Sequence, residues 1–381
     1  MSNDNISREQ KEVKEQLRDK EADFYISKMA RGNLKNIDRF AKYHPDPSIQ
    51  MLNGATFAHR DLESIANAMS NGDDWAVVSG INPSGPLHFG HKLIFDQLLW
   101  YQEQGAEVFI PITNDESYVV GKTKTLAESR RIAYEDVIPS IIAMGFDADR
   151  THIFVDSDYP DIYNVAMHVS RMMTFNKACG VFGFDREDEN TNPGTVFYRS
   201  AVQIGQILLP QYEEVGGPRP VLVPVGVDQI PYLITARDIA EKMDMEPPAH
   251  IYTKFQFGLD GKGKMSASRP DSVIYLNEDL KVAEKKLKKA YTGGLPSADT
   301  QREIGGVPEI CPVGQLLSYN FRKDSSVFDS CNAGELLCGG CKQQMIPQVL
   351  GFLEEHQSKL EDARSSIDDY ILKIPVTSML R

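Results

Sequence analysis

Three features that this sequence lacks narrow its class. It has no run of roughly 18 apolar residues, so we expect no membrane-spanning helix and no membrane partner. Residues 1–24 are polar and charged, without the apolar segment of a secretory signal, which predicts a cytoplasmic protein. It also lacks an excess of basic residues. Its net charge of −13 argues against a generic nucleic-acid coat protein but permits a specific RNA partner bound by a local basic patch.

Short apolar segments alternate with amphipathic helical patterns over the first three quarters of the chain. Parallel strands joined by helices produce this alternation. We therefore predict an α/β fold with a parallel sheet, whose ligands bind at the carboxyl ends of the strands. The predicted strands lie at 76–80, 107–113, 151–156, 220–226 and 250–255, and the predicted helices at 61–74, 91–104, 126–144, 161–178 and 229–243.

The last quarter of the chain has a different pattern. No strand signal remains after Tyr291, and residues 311–372 have helical periodicity, with one long helix predicted over 342–373. These changes predict three domains. They are an N-terminal extension (1–74), an α/β domain (75–290) and an all-helical domain (291–381).

A motif after the first predicted strand is suited to phosphate binding. The small residues between Pro83 and Gly90 let the backbone approach a ligand, and the helix that follows presents free N–H groups to it. His88 and His91 can donate to oxygens that gain charge in a transition state. Taken alone, the segment is also compatible with an ordinary strand–helix turn.

A second motif lies in a glycine-rich segment, at Lys264-Met265-Ser266-Ala267-Ser268. A loop lysine flanked by hydroxyl donors suits a phosphate clamp, although a solvated surface loop has the same composition. The order and separation of the two motifs resemble the HIGH and KMSKS signatures of class I aminoacyl-tRNA synthetases, with Ala267 at the position of the second lysine. The resemblance implies a Rossmann-type catalytic domain with a connective insertion at about 115–215 and a helical domain that binds the anticodon.

Longer segments narrow the family. Residues 168–184 (HVSRMMTFNKACGVFGF) and 225–240 (VGVDQIPYLITARDIA) look like tryptophanyl-tRNA synthetases of the archaeal and eukaryotic type. The resemblance implies activation of L-tryptophan with ATP and Mg²⁺, transfer to tRNA(Trp) with release of AMP and pyrophosphate, and a homodimer. The sister tyrosyl family usually carries a Tyr-x-x-x-Gln-x-x-Asp pattern, which residues 198–206 (YRSAVQIGQ) do not match.

The resemblance also assigns roles to individual residues. The expected catalytic residues are His88, His91, Lys264, Ser266 and Ser268; those that contact ATP are Gly80, Pro83, Ser84, Gly90, Gly226, Asp228 and Met265; those that contact tryptophan are Val78, Glu116, Gln203 and Gln229. Relatives usually have tyrosine at the position of Val78 and glutamine at that of Pro111. Another residue is therefore expected to contact the indole N–H.

Four of the five cysteines fall within 31 residues, at Cys311, Cys331, Cys338 and Cys341. Thiolates at such spacing suit an iron–sulfur cluster or a zinc ion, and buried thiols without metal are the third interpretation. Some members of the resembled family carry a [4Fe-4S] cluster on a similar pattern.

A lysine-rich segment precedes the helical domain, and its Lys285, Lys288 and Lys289 are expected to contact tRNA phosphates. Three other functions stay open. They are a tyrosyl-type or altered-specificity synthetase, a nucleotidyltransferase with a similar histidine motif, and a non-catalytic paralogue that acts as a binding protein.

Overall fold

The computed structural model describes residues 3–37 and 46–378, and the side chains of residues 11–37 and 46–378. Part of the predicted N-terminal extension, at 1–2 and 38–45, therefore lies outside the described residues. The polar N-terminal segment is a helix, Asn3–Gly32. Over these described stretches, no helix combines the length and the apolar character that crossing a membrane requires.

Seven strands form one sheet in the order β1-β2-β7-β6-β3-β4-β5. The central strand β3 is parallel to both β4 and β6, and β4 is parallel to β5. The five predicted strands are confirmed as β3 to β7, whereas the short β1 and the partly polar β2 had no clear sequence signal. Their bounds are β1 Lys35–Asn36, β2 Thr56–Arg60, β3 Ala76–Val78, β4 Glu107–Ile112, β5 Thr151–Val155, β6 Val221–Gly226 and β7 Ala249–Thr253.

Burial on both faces explains why these strands are nearly continuous apolar runs. In β4, Val108, Phe109 and Ile110 are all fully buried, as expected for a parallel sheet covered on both faces. Phe109 is paired with Val78 on one side and with His152 on the other. This register brings the carboxyl ends of β3, β4 and β5 to one edge, where the segments that follow them meet.

The α-helices account for most of the remaining chain. Their bounds are Asn3–Gly32, Ile49–Leu52, Leu62–Asn71, Phe89–Glu103, Asn114–Val119, Leu126–Ile132, Ile138–Ile142, Asp161–Ser170, Phe175–Phe182, Pro193–Phe197, Gln203–Leu208, Ile230–Lys242, Leu280–Lys289, Ala298–Ile304, Pro312–Phe321, Ser326–Asn332, Cys338–Ser358, Leu360–Ser365 and Ile367–Tyr370.

Two predicted helices are wrong in their continuity. The one predicted over 161–178 breaks after Ser170, and Thr174 caps a new helix by accepting a hydrogen bond from the backbone N–H of Lys177. The long helix predicted over 342–373 ends at Ser358 and is followed by two short ones. Met172 and Met173 continue the apolar spacing through the first break, and charged residues run across the second, so hydrophobic periodicity alone locates neither.

The chain divides into two compact units, each made of several segments. The first unit contains residues 1–58, 87–93 and 253–358, and the second contains residues 59–86, 94–252 and 359–381. Within the first unit, Phe89 packs edge-on against Phe352, with ring centroids 5.5 Å apart. The predicted domain boundaries at 74 and 290 follow the order of the sequence and stay a prediction.

Candidate active site

Two histidines of the first unit form a stacked pair. The ring centroids of His88 and His91 are 3.7 Å apart, and the ring planes differ by 18°. The backbone N–H of Gly90 donates to Nδ1 of His88 at 3.1 Å, and the backbone N–H of His88 donates to Nδ1 of His91 at 3.3 Å. Because each Nδ1 is an acceptor, the neutral ring carries its proton on Nε2. The neutral form of each histidine therefore presents an Nε2–H donor.

Burial keeps His88 neutral at physiological pH. Burial lowers its pKa to about 4, and the positive charge of Lys264 lowers the pKa as well. A fixed neutral donor is suited to an oxygen that gains negative charge during a reaction, since no proton has to move.

The second motif lies against the first within this unit. Phe257 and Lys264 form an isolated antiparallel bridge, which fixes the start of the motif. A Cβ at Gly90 would lie 2.9 Å from the His88 ring and 3.6 Å from Cβ of Met265. Glycine is therefore required at this position, because a side chain would collide with the histidine ring.

The polar side chains of the second motif lie in an exposed loop. The hydroxyls of Ser266 and Ser268 are 3.0 Å apart, and either one can be the donor. Nζ of Lys264 lies 5.1 Å from the centroid of the Phe255 ring. The structure thus brings Lys264, Met265 and the two serines together with the histidine pair.

The second unit holds the predicted residues that follow the parallel strands. Val78 is the last residue of β3 and is buried. A Cβ at Gly80 would lie 2.7 Å from the carbonyl oxygen of Pro111 in β4, so the close approach of these two segments requires glycine. The positions of Val78 and Pro111 place two apolar side chains near the carboxyl ends of adjacent strands.

Glu116 is oriented by the turn that follows β3. Nδ2 of Asn82 donates to Oε2 of Glu116 at 2.9 Å, and the Thr113 hydroxyl is 3.4 Å from the same oxygen. Pro83 and Ser84 continue this turn, in which the Ser84 N–H donates to the Asn82 carbonyl at 2.9 Å. A carboxylate held in this way is a fixed acceptor for an ammonium group.

Two predicted glutamines are in direct contact. Nε2 of Gln203 donates to Oε1 of Gln229 at 3.0 Å. Gln229 ends the short 3₁₀ turn that follows β6, and this turn also contains Asp228, two residues after Gly226, the last residue of β6. The carboxyl end of β6 therefore carries the amide and carboxylate predicted to bind substrate.

Comparison with known proteins assigns this fold and these motifs to a family. The family of class I tRNA synthetases for tryptophan and tyrosine (W and Y) matches residues 70–354, about three quarters of the chain. The chain belongs to this family. Both the predicted family and the predicted α/β fold with a Rossmann-type parallel sheet are confirmed.

Individual relatives match over nearly the whole synthetase chain. The tryptophan–tRNA ligase of Pyrobaculum calidifontis is 39% identical over 336 residues, which cover 87% of this chain and 88% of the relative. The crystal structure of tryptophanyl-tRNA synthetase from Aeropyrum pernix K1 superposes with a TM-score of 0.82 at 36% identity, covering 91% of this chain and 96% of the other. The tryptophanyl-tRNA synthetase of Giardia lamblia has the same TM-score at 26% identity, covering 93% and 97%.

This synthetase also contains a buried acidic cluster that sequence reasoning missed. Nε2 of Gln206 donates to Oδ2 of Asp156 at 2.6 Å, and the Tyr163 hydroxyl donates to Oδ2 of Asp115 at 3.0 Å. Burial raises the pKa of Asp156 well above its ordinary value, and the charge of Asp115 raises it further. These side chains come from four separate segments, so no local sequence motif predicts the cluster.

The four clustered cysteines of the synthetase line one pocket in the first unit. Burial raises the pKa of the Cys331 and Cys341 thiols to about 12, and the neighbouring sulfurs add to this shift. Among residues 11–37 and 46–378, no three histidine, cysteine or acidic side chains are grouped as ligands of a metal ion. The four cysteines therefore share one pocket.

The predicted tRNA-binding lysines lie on the exposed side of the helix Leu280–Lys289. Lys288 is paired with Glu284 at 2.7 Å, which partly neutralises its charge. Lys285 and Lys289 lie one helical turn apart and line a groove that also contains Arg269. Lys288 therefore differs from Lys285 and Lys289 in its pairing with an acidic residue.

Proposed function

We propose that this chain activates L-tryptophan with ATP to tryptophanyl-adenylate and transfers the tryptophanyl group to tRNA(Trp), releasing AMP and pyrophosphate. The observation that carries the proposal is the packing of the histidine pair against the lysine loop around Gly90. The names of the relatives, which are tryptophan–tRNA ligases, support the choice of amino acid.

In the first step, the tryptophan carboxylate attacks the α-phosphorus of ATP, and the bond to the β-phosphate oxygen breaks. Negative charge grows on the α-phosphate oxygens and on the leaving pyrophosphate. We assign the Nε2–H groups of His88 and His91 to donate to these oxygens, and Lys264 to pair with the pyrophosphate. Ser266 and Ser268 supply hydroxyl donors. Mg²⁺, held mainly by phosphate oxygens, neutralises part of the same charge.

The residues of the second unit are assigned to tryptophan and to the adenosine of ATP. Glu116, fixed by Asn82, pairs with the α-ammonium group. Gln203 and Gln229 hold the carboxylate through their amides, and the turn containing Asp228 accepts the ribose hydroxyls. The apolar Val78 lines the pocket for the indole ring.

The second candidate function is a synthetase of altered specificity. It is favoured by Val78 and Pro111, which lack the polar groups that relatives usually place near the indole N–H. A site with a buried polar partner for the substrate rejects analogues that lack that group by large factors. Without such a partner at these two positions, discrimination against tyrosine depends on other side chains.

ATP–pyrophosphate exchange with each of the twenty amino acids, on protein purified without air, tests the proposal. Exchange stimulated by tryptophan alone supports it. Exchange with tyrosine but not tryptophan supports the altered-specificity candidate. No exchange by folded protein removes the catalytic proposal and favours a binding protein built on this fold.

A [4Fe-4S] cluster bound by Cys311, Cys331, Cys338 and Cys341 is part of the proposal. A Cβ at Gly294 would lie 2.5 Å from Sγ of Cys338, so the cysteine sits in a cradle that only glycine permits. The four thiolates that line the pocket would be the ligand set of the cluster, and a zinc ion held by the same set is the alternative.

A buried amide beside the pocket also fits the cluster. Oε1 of Gln301 accepts from Sγ of Cys338 at 3.4 Å, while its Nε2 has no hydrogen-bond partner in the described part of the chain. An amide N–H next to a cluster can donate to its sulfurs. The cluster, when bound, cross-links segments of the helical region and is not assigned any redox step.

Iron and sulfide analysis after anaerobic purification tests the cluster. About four of each per chain supports it, one zinc favours the alternative, and neither leaves four thiols without metal. Cys338→Ser is expected to abolish iron binding. Cys179→Ser is the matched control, because Cys179 lies in the other unit, away from the four clustered cysteines.

We also propose a homodimer, by resemblance to the family, and contacts of Lys285, Lys288 and Lys289 with tRNA phosphates. Light scattering at several concentrations tests the dimer, and a monomer at all of them contradicts it. The groove lined by Lys285 and Lys289 supports the phosphate contacts, since both lysines are exposed on one face.

A further inference from the structure

Arg269, the residue after the second motif, forms an ion pair and hydrogen bonds with the loop that contains the motif. Its Nη1 forms an ion pair with Oδ2 of Asp260 at 2.6 Å and donates to the carbonyl of Lys262 at 2.9 Å. Its Nη2 donates to the carbonyl of Lys264 at 2.7 Å. A single guanidinium therefore joins three points of the loop, and one of them is the backbone of Lys264.

The backbone of the loop includes two glycines in the left-handed region. Gly261 and Gly263 have φ values of 69° and 97°, which only glycine adopts at little cost. Backbone hydrogen bonds hold the base of the loop, from the Gly258 N–H to the Gly263 carbonyl at 2.9 Å and from the Met265 N–H to the Gln256 carbonyl at 2.7 Å. Glycines leave the chain with large conformational freedom, which a side-chain clamp removes.

The exit of the loop is held by a different cation. Nζ of Lys286 donates to the carbonyls of Pro270 and Val273, both at 3.0 Å, and pairs with Glu278. These bonds fix residues beyond the motif and do not touch Lys264. Arg269, by contrast, donates to the carbonyl of Lys264 itself, so its effect on the reaction is separable from that of Lys286.

We propose that Arg269 is a positioning residue for amino-acid activation. It acts through Lys264. By fixing the carbonyl of Lys264, it fixes the direction in which the side chain of Lys264 extends from the loop. The inference rests on the proposed role of Lys264 in pairing with pyrophosphate. The guanidinium reaches the three acceptors from two nitrogens held apart in one plane, whereas a lysine offers its donors from a single nitrogen and does not reproduce this geometry.

A double-mutant cycle on pyrophosphate exchange tests this. Arg269→Ala is expected to lower kcat by about tenfold to a hundredfold, because misplacing a catalytic group has effects of this size. The KM for tryptophan should stay unchanged. In a Lys264→Ala background, Arg269→Ala should lower kcat by less than about twofold, since its only route to the reaction has been removed. Arg269→Lys should recover only part of the loss.

Several outcomes decide the inference. An equal loss from Arg269→Ala in both backgrounds means a general structural role and overturns it, and so does no loss in the parent background. If Lys264→Ala alone has no effect, the proposed role of the lysine fails instead. Arg302→Ala, which removes an exposed arginine paired with Asp299, is the matched control. If Arg269→Ala strongly lowers the melting temperature, Asp260→Asn replaces it in the cycle, because this change removes the ion pair of Arg269 and keeps its hydrogen bonds to the backbone.

Discussion

The two units of the molecule carry side chains of opposite character. In the first unit, Lys264 and the Nε2–H groups of His88 and His91 present positive charge and hydrogen-bond donors. In the second unit, Glu116 and the half-buried Asp115 present carboxylates. Phosphate oxygens bind donors and cations, whereas an amino acid's ammonium group binds carboxylates. The difference teaches that the first unit is matched electrostatically to the phosphates of ATP and the second to the ammonium group of tryptophan.

The largest expected effect comes from removing the cation of the first unit. Lys264→Ala should lower kcat for pyrophosphate exchange by about 10²–10³, the usual loss when one stabilising donor is removed from a transition state. The KM for tryptophan should change little, because this residue is assigned to pyrophosphate. Lys262→Ala is the matched control on the same loop. An unchanged rate with Lys264→Ala would refute the assignment.

Removing the negative charge of the second unit should have the opposite signature. Glu116→Gln keeps the shape of the side chain and should raise the KM for tryptophan by roughly tenfold to a hundredfold, as expected for the loss of a charge-assisted pair. The KM for ATP should stay within about twofold. The exposed Glu241→Gln is the control on the same unit. A rise in the KM for ATP instead would contradict the assignment of Glu116 to the ammonium group of tryptophan.

The two regions also differ in how much the sequence reveals. Both motifs of the first unit are contiguous, so His88, Gly90 and Lys264 were found from their spacing. The strands β3 to β7 were found because burial on both faces makes them apolar runs. The acidic cluster was missed, because Asp115 and Asp156 meet only through the register of β4 and β5.

The same reason explains the other misses. Arg269 has no sequence signal, since its partners are backbone carbonyls that only the folded loop turns toward it. The break after Ser170 was missed because Met172 and Met173 continue the helical spacing of apolar residues through it. Long-range packing and loop geometry, rather than composition, decide these features.

A third prediction concerns the buried acid of the second unit. Because the pKa of Asp156 is raised in the folded state, the unfolded state loses its proton first as pH rises. Its contribution to stability is present at acidic pH and is lost as pH rises from about 4, the ordinary aspartate value, toward the raised pKa. Asp156→Asn should remove this loss, so the variant should gain stability relative to the parent by up to about 1.4 kcal/mol per pH unit.

Urea unfolding of both proteins between about pH 4 and pH 7 measures this difference. A difference in unfolding free energy that grows with pH supports the assignment. Parallel curves would mean that Asp156 is ionised in the folded protein. Asp238→Asn, at an exposed ion pair of the same unit, is the control and should show no comparable trend.

The smallest effect is expected from the basic groove of the first unit. Replacing Lys285 and Lys289 by alanine should leave pyrophosphate exchange unchanged. It should weaken tRNA binding and reduce the slope of log affinity against log salt by roughly 1 for each lysine. Binding measured at several salt concentrations checks this, with Lys122→Ala as the control. An unchanged slope would place the tRNA phosphates elsewhere.

Equilibrium binding of tryptophan in the absence of ATP tests the central claim most directly, because it isolates one substrate. The account predicts that Glu116→Gln weakens tryptophan binding by roughly tenfold or more, whereas Lys264→Ala binds tryptophan as the parent does. Equal weakening by both variants, or by Lys264→Ala alone, would contradict the assignment of the phosphates of ATP to the first unit and of the tryptophan ammonium group to the second.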